Sequence, residues 1–257
     1  MTATLRVIEG HLVHYRRTWK ASAAASFLTP VLFLVAMGMG LGSLVDDGGS
    51  ATDLPGTNYL TFLAPGLLVA SAMQLSAGES THPVLAGFLW QKRYVAAAAT
   101  PVSPANLVWG HLGALALRLA LSATVFALIM RAFGIVTIDR AMLTVLPAVL
   151  TGLAFAALIT AVVATTQSQY LAVAIMRFGI MPMFLFSGTF FPVSHLPAII
   201  QPIAYATPLW HGVDLARSVA LGTTVSLPPG VSIAYLLMWV LGGTLLGIRA
   251  FTRRLAS

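Results

Sequence analysis

MLTVLPAVLTGLAFAALITAVVATT, Met142 to Thr166, carries no charged residue and no break stronger than one proline. A helix needs about 20 mostly apolar residues to cross a bilayer core, and this stretch exceeds that. Five others reach the same length: roughly Ala21 to Val45, Tyr59 to Gly78, Val108 to Met130, Tyr170 to Phe191 and Val231 to Phe251. Composition agrees. Of 257 residues, 58% are hydrophobic and 8% charged, against about 25% charged in a soluble domain. So little polar surface could not cover a soluble fold. In lipid, each backbone polar group must be satisfied within its own helix. The predicted fold class is therefore all-α: a polytopic membrane protein with six transmembrane helices. The first stretch lacks a small-residue cleavage site at its end and reads as a retained span.

An even number of spans puts both termini on one side. That side holds Arg6, Arg16, Arg17 and Lys20, then Lys92 and Arg93, then Arg249, Arg253 and Arg254. The other holds Asp46, Asp47, Asp53, Asp139 and Asp214, with Arg131, Arg140 and Arg217. Positive residues mark the cytoplasmic face, so both termini are expected in the cytoplasm of a bacterial inner membrane. The net charge of +7 is mostly this orientation signal and needs no nucleic-acid partner. Leu5, Ile8, Leu12, Tyr15 and Trp19 recur at helical spacing, with Arg6, Glu9, Arg16, Arg17 and Lys20 off the stripe. This predicts an amphipathic interfacial helix over residues 1–20, ahead of a six-span domain over 21–257.

Two connections are too long to be simple turns. The cytoplasmic loop 81–106 puts Phe88, Leu89 and Trp90 ahead of Lys92 and Arg93. Ala96 to Ala99 then favour helix, and Pro101 and Pro104 stop it. A short helix with an aromatic anchor and positive charge suits docking to another protein; it equally suits simple anchorage of the loop. The external segment 192–230 is apolar but broken by Pro192, Pro197, Pro202 and Pro208. It is too short and interrupted for two more spans and reads as a re-entrant helical hairpin, tolerated only where protein shields it.

Ionisable residues within spans are functional candidates. Glu79 and Arg118 are placed to pair if spans two and three are antiparallel neighbours. Arg177 is expected to snorkel to headgroups. Asp214 and Arg217, three residues apart, suit a local helix pair. His11 with His14, and His211 with Asp214, have no further ligands nearby for a metal. The chain has no cysteine and only two lysines, Lys20 and Lys92. The phosphate-cradling G-x-x-x-x-G-K-[ST] pattern is absent, and no catalytic constellation is visible.

Three passages carry a resemblance: YLTFLAPGLLVASAMQ (Tyr59 to Gln74), ESTHPVLAGFLWQKRYVAAAATPVSPANLVWG (Glu79 to Gly110), and FLFSGTFFPVSHLP with YATPLWHGVDLAR (Phe184 to Arg217). They resemble the permease subunits of type-2 ABC exporters, including those for nodulation lipo-oligosaccharides and for drugs. The resemblance implies a dimer of permeases, each binding one cytoplasmic ABC ATPase subunit. ATP and Mg²⁺ would sit on that ATPase, with no cofactor in this chain. It makes the cytoplasmic loop the coupling helix, through Phe88, Trp90, Lys92, Arg93 and Tyr94. It makes the external segment, with Phe191, Pro192, Pro208, His211, Asp214 and Arg217, the re-entrant hairpin near the exit. The implied cargo is an amphipathic lipid, glycolipid or oligosaccharide, or a drug. The reading from another class is a secondary transporter driven by an ion gradient; inverted repeats and midplane acids are not seen.

Overall fold

The structure, a computed structural model, describes residues 3–41, 58–222 and 226–256. Asp46, Asp47, Asp53 and the end of the first apolar stretch lie outside them, as do residues 223–225 of the external segment. The chain begins with α1 (Ala3–Val35), which runs into a π-helical turn, Ala36–Leu41. Then come α2 (Tyr59–Ser80), α3 (His82–Leu89), α4 (Arg93–Ala98), α5 (Pro104–Ala132) and α6 (Ile138–Ala164). A composite helix follows: α7 (Gln169–Ala174), a π-helical turn (Ile175–Ile180) and α8 (Met181–Phe186). A 3₁₀ turn (Val193–His195), α9 (Gln201–Tyr205), α10 (Pro208–Leu221) and α11 (Pro229–Ala256) complete the fold. No strand occurs among the described residues.

Five helical segments are long and apolar enough to cross a membrane: Tyr59–Leu89, Pro104–Ala132, Ile138–Ala164, Gln169–Phe186 and Pro229–Ala256. They fall on the second to sixth predicted stretches. The first stretch falls on α1 and the turn after it.

The quoted stretch, now α6, is the hub. It packs against α2, α5, α10 and α11. Its buried positions are mostly small, among them Ala148, Thr151, Gly152, Ala156 and Ala157, which lets neighbouring backbones come close. Two of its hydroxyls cost little, because they bond within the helix: Thr144 donates to the Ala141 carbonyl at 2.6 Å and Thr151 to that of Pro147 at 2.8 Å. The composite helix α7–α8 is the opposite case. Tyr170 and Phe178 are 80% and 82% exposed, and Arg177 lies exposed in its π-helical turn.

Three boundaries differ from expectation. The helix from Ala3 to Val35 has no break near residue 20, because no glycine or proline occurs between Gly10 and Pro30. Its packing face is also rotated from the predicted stripe. Val7 and Ile8 lie over Gly110 and Gly113 of α5, while Leu5 and Leu12 are exposed. The Trp19 side chain lies outside the described residues. Second, Pro104 starts α5 instead of stopping a helix: Ser103 caps it by accepting from the Asn106 N–H at 3.2 Å, and proline suits a first helical turn. Third, the fifth span ends at Phe186, where Gly188 adopts a left-handed φ of 82°.

Candidate functional site

The predicted coupling residues divide into a base and a tip. The base is aromatic. Phe88 and Tyr94 are buried and lie 4.6 Å apart by ring centroid. Both meet Phe251 of α11, at 4.8 and 5.0 Å. Such ring pairs contribute about 0.5–1.5 kcal/mol each beyond area burial. Arg254, one turn on, lies 4.1 Å from the Phe88 ring centroid and donates to the Val163 and Ala164 carbonyls at 3.3 and 3.0 Å. It thereby adds side-chain donors to the C-terminal carbonyls of α6. Gly87 is required here: a Cβ would sit 2.5 Å from the Tyr94 ring and 2.6 Å from Arg93 Nε. Arg93 belongs to the base as well, donating to the Pro83 carbonyl and the Tyr94 hydroxyl, both at 3.0 Å. Burial pushes the Tyr94 phenol above its usual range, and Arg93 opposes that shift.

The tip is Trp90, Gln91 and Lys92. Trp90 is 60% exposed, and Gln91 and Lys92 are exposed. Lys92 holds a left-handed φ of 50°, the one positive value at a non-glycine residue among those described. This conformation costs a side-chain-bearing residue roughly 1–2 kcal/mol and reverses the chain between α3 and α4. Backbone strain of this kind gathers at functional segments.

Beside the base lies a cavity of about 1160 Å³ between α1, the loop and α5. At its inner end Arg118 Nη1 meets Glu79 Oε1 at 2.7 Å, the pairing the spacing allowed. The Tyr15 ring of α1 stands 4.9 Å from the Arg118 guanidinium. His111 is buried, 3.4 Å from the Ser80 hydroxyl and 5.6 Å by ring centroid from His11. No group of three or more potential metal ligands occurs among the described residues.

At the other end of the bundle, α10 begins deep. Gly212 packs against Thr151, midway along α6, and against Val69 of α2. Its far end, Ala220 and Leu221, lies beside Asn58 and Ile138, where α2 and α6 begin. Thr207 caps its N-terminus, accepting from the Trp210 N–H at 3.2 Å. His211 is buried, 3.2 Å from the Ser232 hydroxyl and stacked on Tyr235 at 4.1 Å. Pro208 occupies the first turn of α10, while Phe191 packs on a small cluster of Val193, Leu196, Ala204 and Trp210. Pro192 precedes the 3₁₀ turn.

The expected Asp214–Arg217 pair does not form. Arg217 instead donates to the Phe62 carbonyl at 3.1 Å and the Thr189 carbonyl at 2.9 Å, with its guanidinium 3.6 Å from the Phe62 ring centroid. Asp214 accepts from the Ser226 hydroxyl at 3.1 Å. The Phe62 carbonyl in the first turn of α2 and the Thr189 carbonyl of the irregular segment instead share the planar donor fork of Arg217. The sequence reading also missed Gly87, Phe251 and Arg254. Only the basic last turn of α11 hinted at a helix-end role.

With this geometry in view, comparison with known proteins is direct. The model of the ABC-2 type transporter family matches residues 2–221. The chain is 32% identical over 243 residues to Nodulation protein J of Rhizobium leguminosarum bv. viciae, covering 91% of each protein. It is 33% identical over 218 residues to Nodulation protein J of Neorhizobium galegae, covering 80% of this chain and 78% of that one. With the protein of the same name from Azorhizobium caulinodans the identity is 25% over 225 residues, with 85% and 84% covered. Permeases of this kind pair with an ABC ATPase and do not themselves carry the catalytic site. The chain belongs to the ABC-2 type transporter family, as a multi-pass membrane permease subunit.

Proposed function

We propose that this chain is the permease half of an ATP-driven exporter in a bacterial inner membrane. Two copies act with two ATPase subunits, which hold ATP and Mg²⁺. The apolar second half of α1 is the sixth crossing, so both termini face the cytoplasm. Residues 81–106 dock the ATPase through Trp90 and Lys92, while Phe88, Arg93 and Tyr94 form the base beneath them. The segment from Phe191 through α10 is a re-entrant hairpin on the outer side. The cargo is an amphipathic lipid, a glycolipid or oligosaccharide, or a drug. The likeness to nodulation proteins supports the glycolipid class among these.

One observation carries the reading: an exposed aromatic and cationic tip stands on a base locked to two membrane helices. A load on Trp90 or Lys92 passes through Phe88 and Tyr94 to Phe251, and through Arg254 to the end of α6. Close-packed side chains transmit displacement because they do not compress. Closure of the ATPase dimer would thus reorient α6 and α11 as rigid bodies. The test is co-purification of the permease with its ATPase in mild detergent, with hydrolysis assayed. Trp90→Ala is expected to lower ATPase capture at least about tenfold, as loss of a buried aromatic anchor does elsewhere. Unchanged capture by both Trp90→Ala and Lys92→Ala would refute the docking assignment.

A further inference from the structure

Arg118 and Arg177 both stand mid-span, and the fold treats them differently. Arg118 of α5 meets Glu79 of α2 at 2.7 Å. Arg177 is turned outward. It is the ninth residue of the 18-residue span Gln169–Phe186, about 12 Å of helical rise from Gln169. A span of that length barely matches a hydrocarbon core about 30 Å thick, so Arg177 lies close to the midplane. Snorkelling serves arginines near helix ends and does not serve one at this depth.

The face around Arg177 is open. Ala172 and Ile180 of the same composite helix are buried, and Met183 and Phe184 pack on the core. Tyr170, Val173, Arg177, Met181 and Leu185 recur at steps of three and four, and all are exposed, as is Phe178. They form one outward face, apolar except for the guanidinium. Arg177 sits in the π-helical turn Ile175–Ile180, a feature frequent at functional sites. A Cβ on Gly179 of that turn would meet nothing within 4 Å, so space is open two residues from Arg177.

Lipid alone on this face would strand the guanidinium in hydrocarbon, which is expensive. A second copy alone does no better. Symmetric pairing sets like surfaces against each other, and two Arg177 side chains would repel in a dry contact. A polar space that holds an anion resolves both difficulties, and Tyr170, Phe178 and Met181 offer an apolar wall to the rest of such a molecule.

We infer that Arg177 of each copy binds the anionic group (phosphate, sulfate or carboxylate) of the amphiphile that the permease moves, in a polar space between the two copies. This rests on the exporter reading for the cargo and the second copy, and it narrows the cargo to an anion. Arginine suits such groups through forked, charge-assisted bonds. The phosphate of a bilayer lipid shares this chemistry but lies at the headgroups, away from the midplane.

The chain has no cysteine, so a single Gly179→Cys thiol reports on this space. The full permease carrying it, in phosphatidylcholine nanodiscs, is treated with anionic sulfonatoethyl or cationic trimethylammonioethyl methanethiosulfonate. Each rate is scaled to that of the same reagent with a free thiol in water. The anionic reagent is expected to react at least about tenfold faster than the cationic one, as in a cleft lined by one sign of charge. Adding Arg177→Gln should abolish that preference, and adding Arg177→Lys should keep it. Oleoyl lysophosphatidate should protect the thiol from the anionic reagent, and oleoyl lysophosphatidylcholine at equal concentration should not. The inference is overturned if neither reagent reacts, which would put the face in hydrocarbon and leave Arg177 to bilayer phosphate. Equal reaction with both reagents, a preference that survives Arg177→Gln, or no difference in protection between the two lysolipids would overturn it as well. None of these readouts requires the ATPase, so failure of the Trp90 test leaves them readable.

Discussion

The loop 81–106 and the segment 192–222 look alike in sequence. Each links spans, each is apolar, and each is broken by prolines. They solve opposite problems. In the loop, packing is spent on the base and the tip is left bare, with Trp90 exposed above Phe88, Tyr94 and Phe251. In the segment 192–222 the aromatic and charged groups of α10 are turned inward: Trp210 and His211 are buried, and Arg217 is tied to Phe62 and Thr189, while Ile199 and Ile203 before it stay exposed. An aromatic exposed on a rigid base is free to meet a partner from outside the chain, as proposed for Trp90. An arginine satisfied by carbonyls of its own chain needs none. Proline-broken apolar sequence therefore does not by itself distinguish a docking loop from an internal plug; the direction of burial does.

That contrast can be tested through substitutions of decreasing expected cost. Phe251→Ala removes the common partner of Phe88 and Tyr94. It should cost about 3–5 kcal/mol, read as a lowered thermal midpoint in detergent, and should speed protease cleavage within residues 90–93. A lowered midpoint without faster cleavage would mean the loop is held by something else. Arg217→Ala removes the charged bonds to the Phe62 and Thr189 carbonyls and should cost roughly 1.5–3 kcal/mol. Arg217→Lys should recover less than half of that, since one ammonium cannot reproduce the fork. Full recovery by lysine would reduce Arg217 to a point charge. Trp90→Ala should change stability by no more than about 0.5 kcal/mol, while lowering ATPase capture as proposed above. A large loss of stability would move Trp90 from tip to base and dissolve the contrast.

Much of this was legible in the sequence for a physical reason. Long apolar runs have one solution in lipid, so five predicted stretches fall on five membrane-long helices. Glu79 and Arg118 pair because adjacent antiparallel helices bring such positions together. What stayed hidden depends on contacts between residues distant in the chain. Nothing near Arg217 announces Phe62, and nothing near Phe88 announces Phe251. Local spacing favoured an Asp214–Arg217 pair, which tertiary carbonyls outcompeted. The reading of Pro104 as a stop failed differently: proline ends one helix and opens another, and the Ser103 cap before it decides which.

The depth reached by α10 has a mechanical consequence. Because Gly212 meets Thr151 at the middle of α6, α10 fills the half of the bundle away from the loop 81–106. The loop half contains instead the void between α1 and α5. Compressibility is thus unevenly distributed along the bundle axis, with a stiff plug at one end and a yielding gap at the other. A bundle built this way deforms first beside the segment on which an external load would act, while its far end resists until the gap has closed.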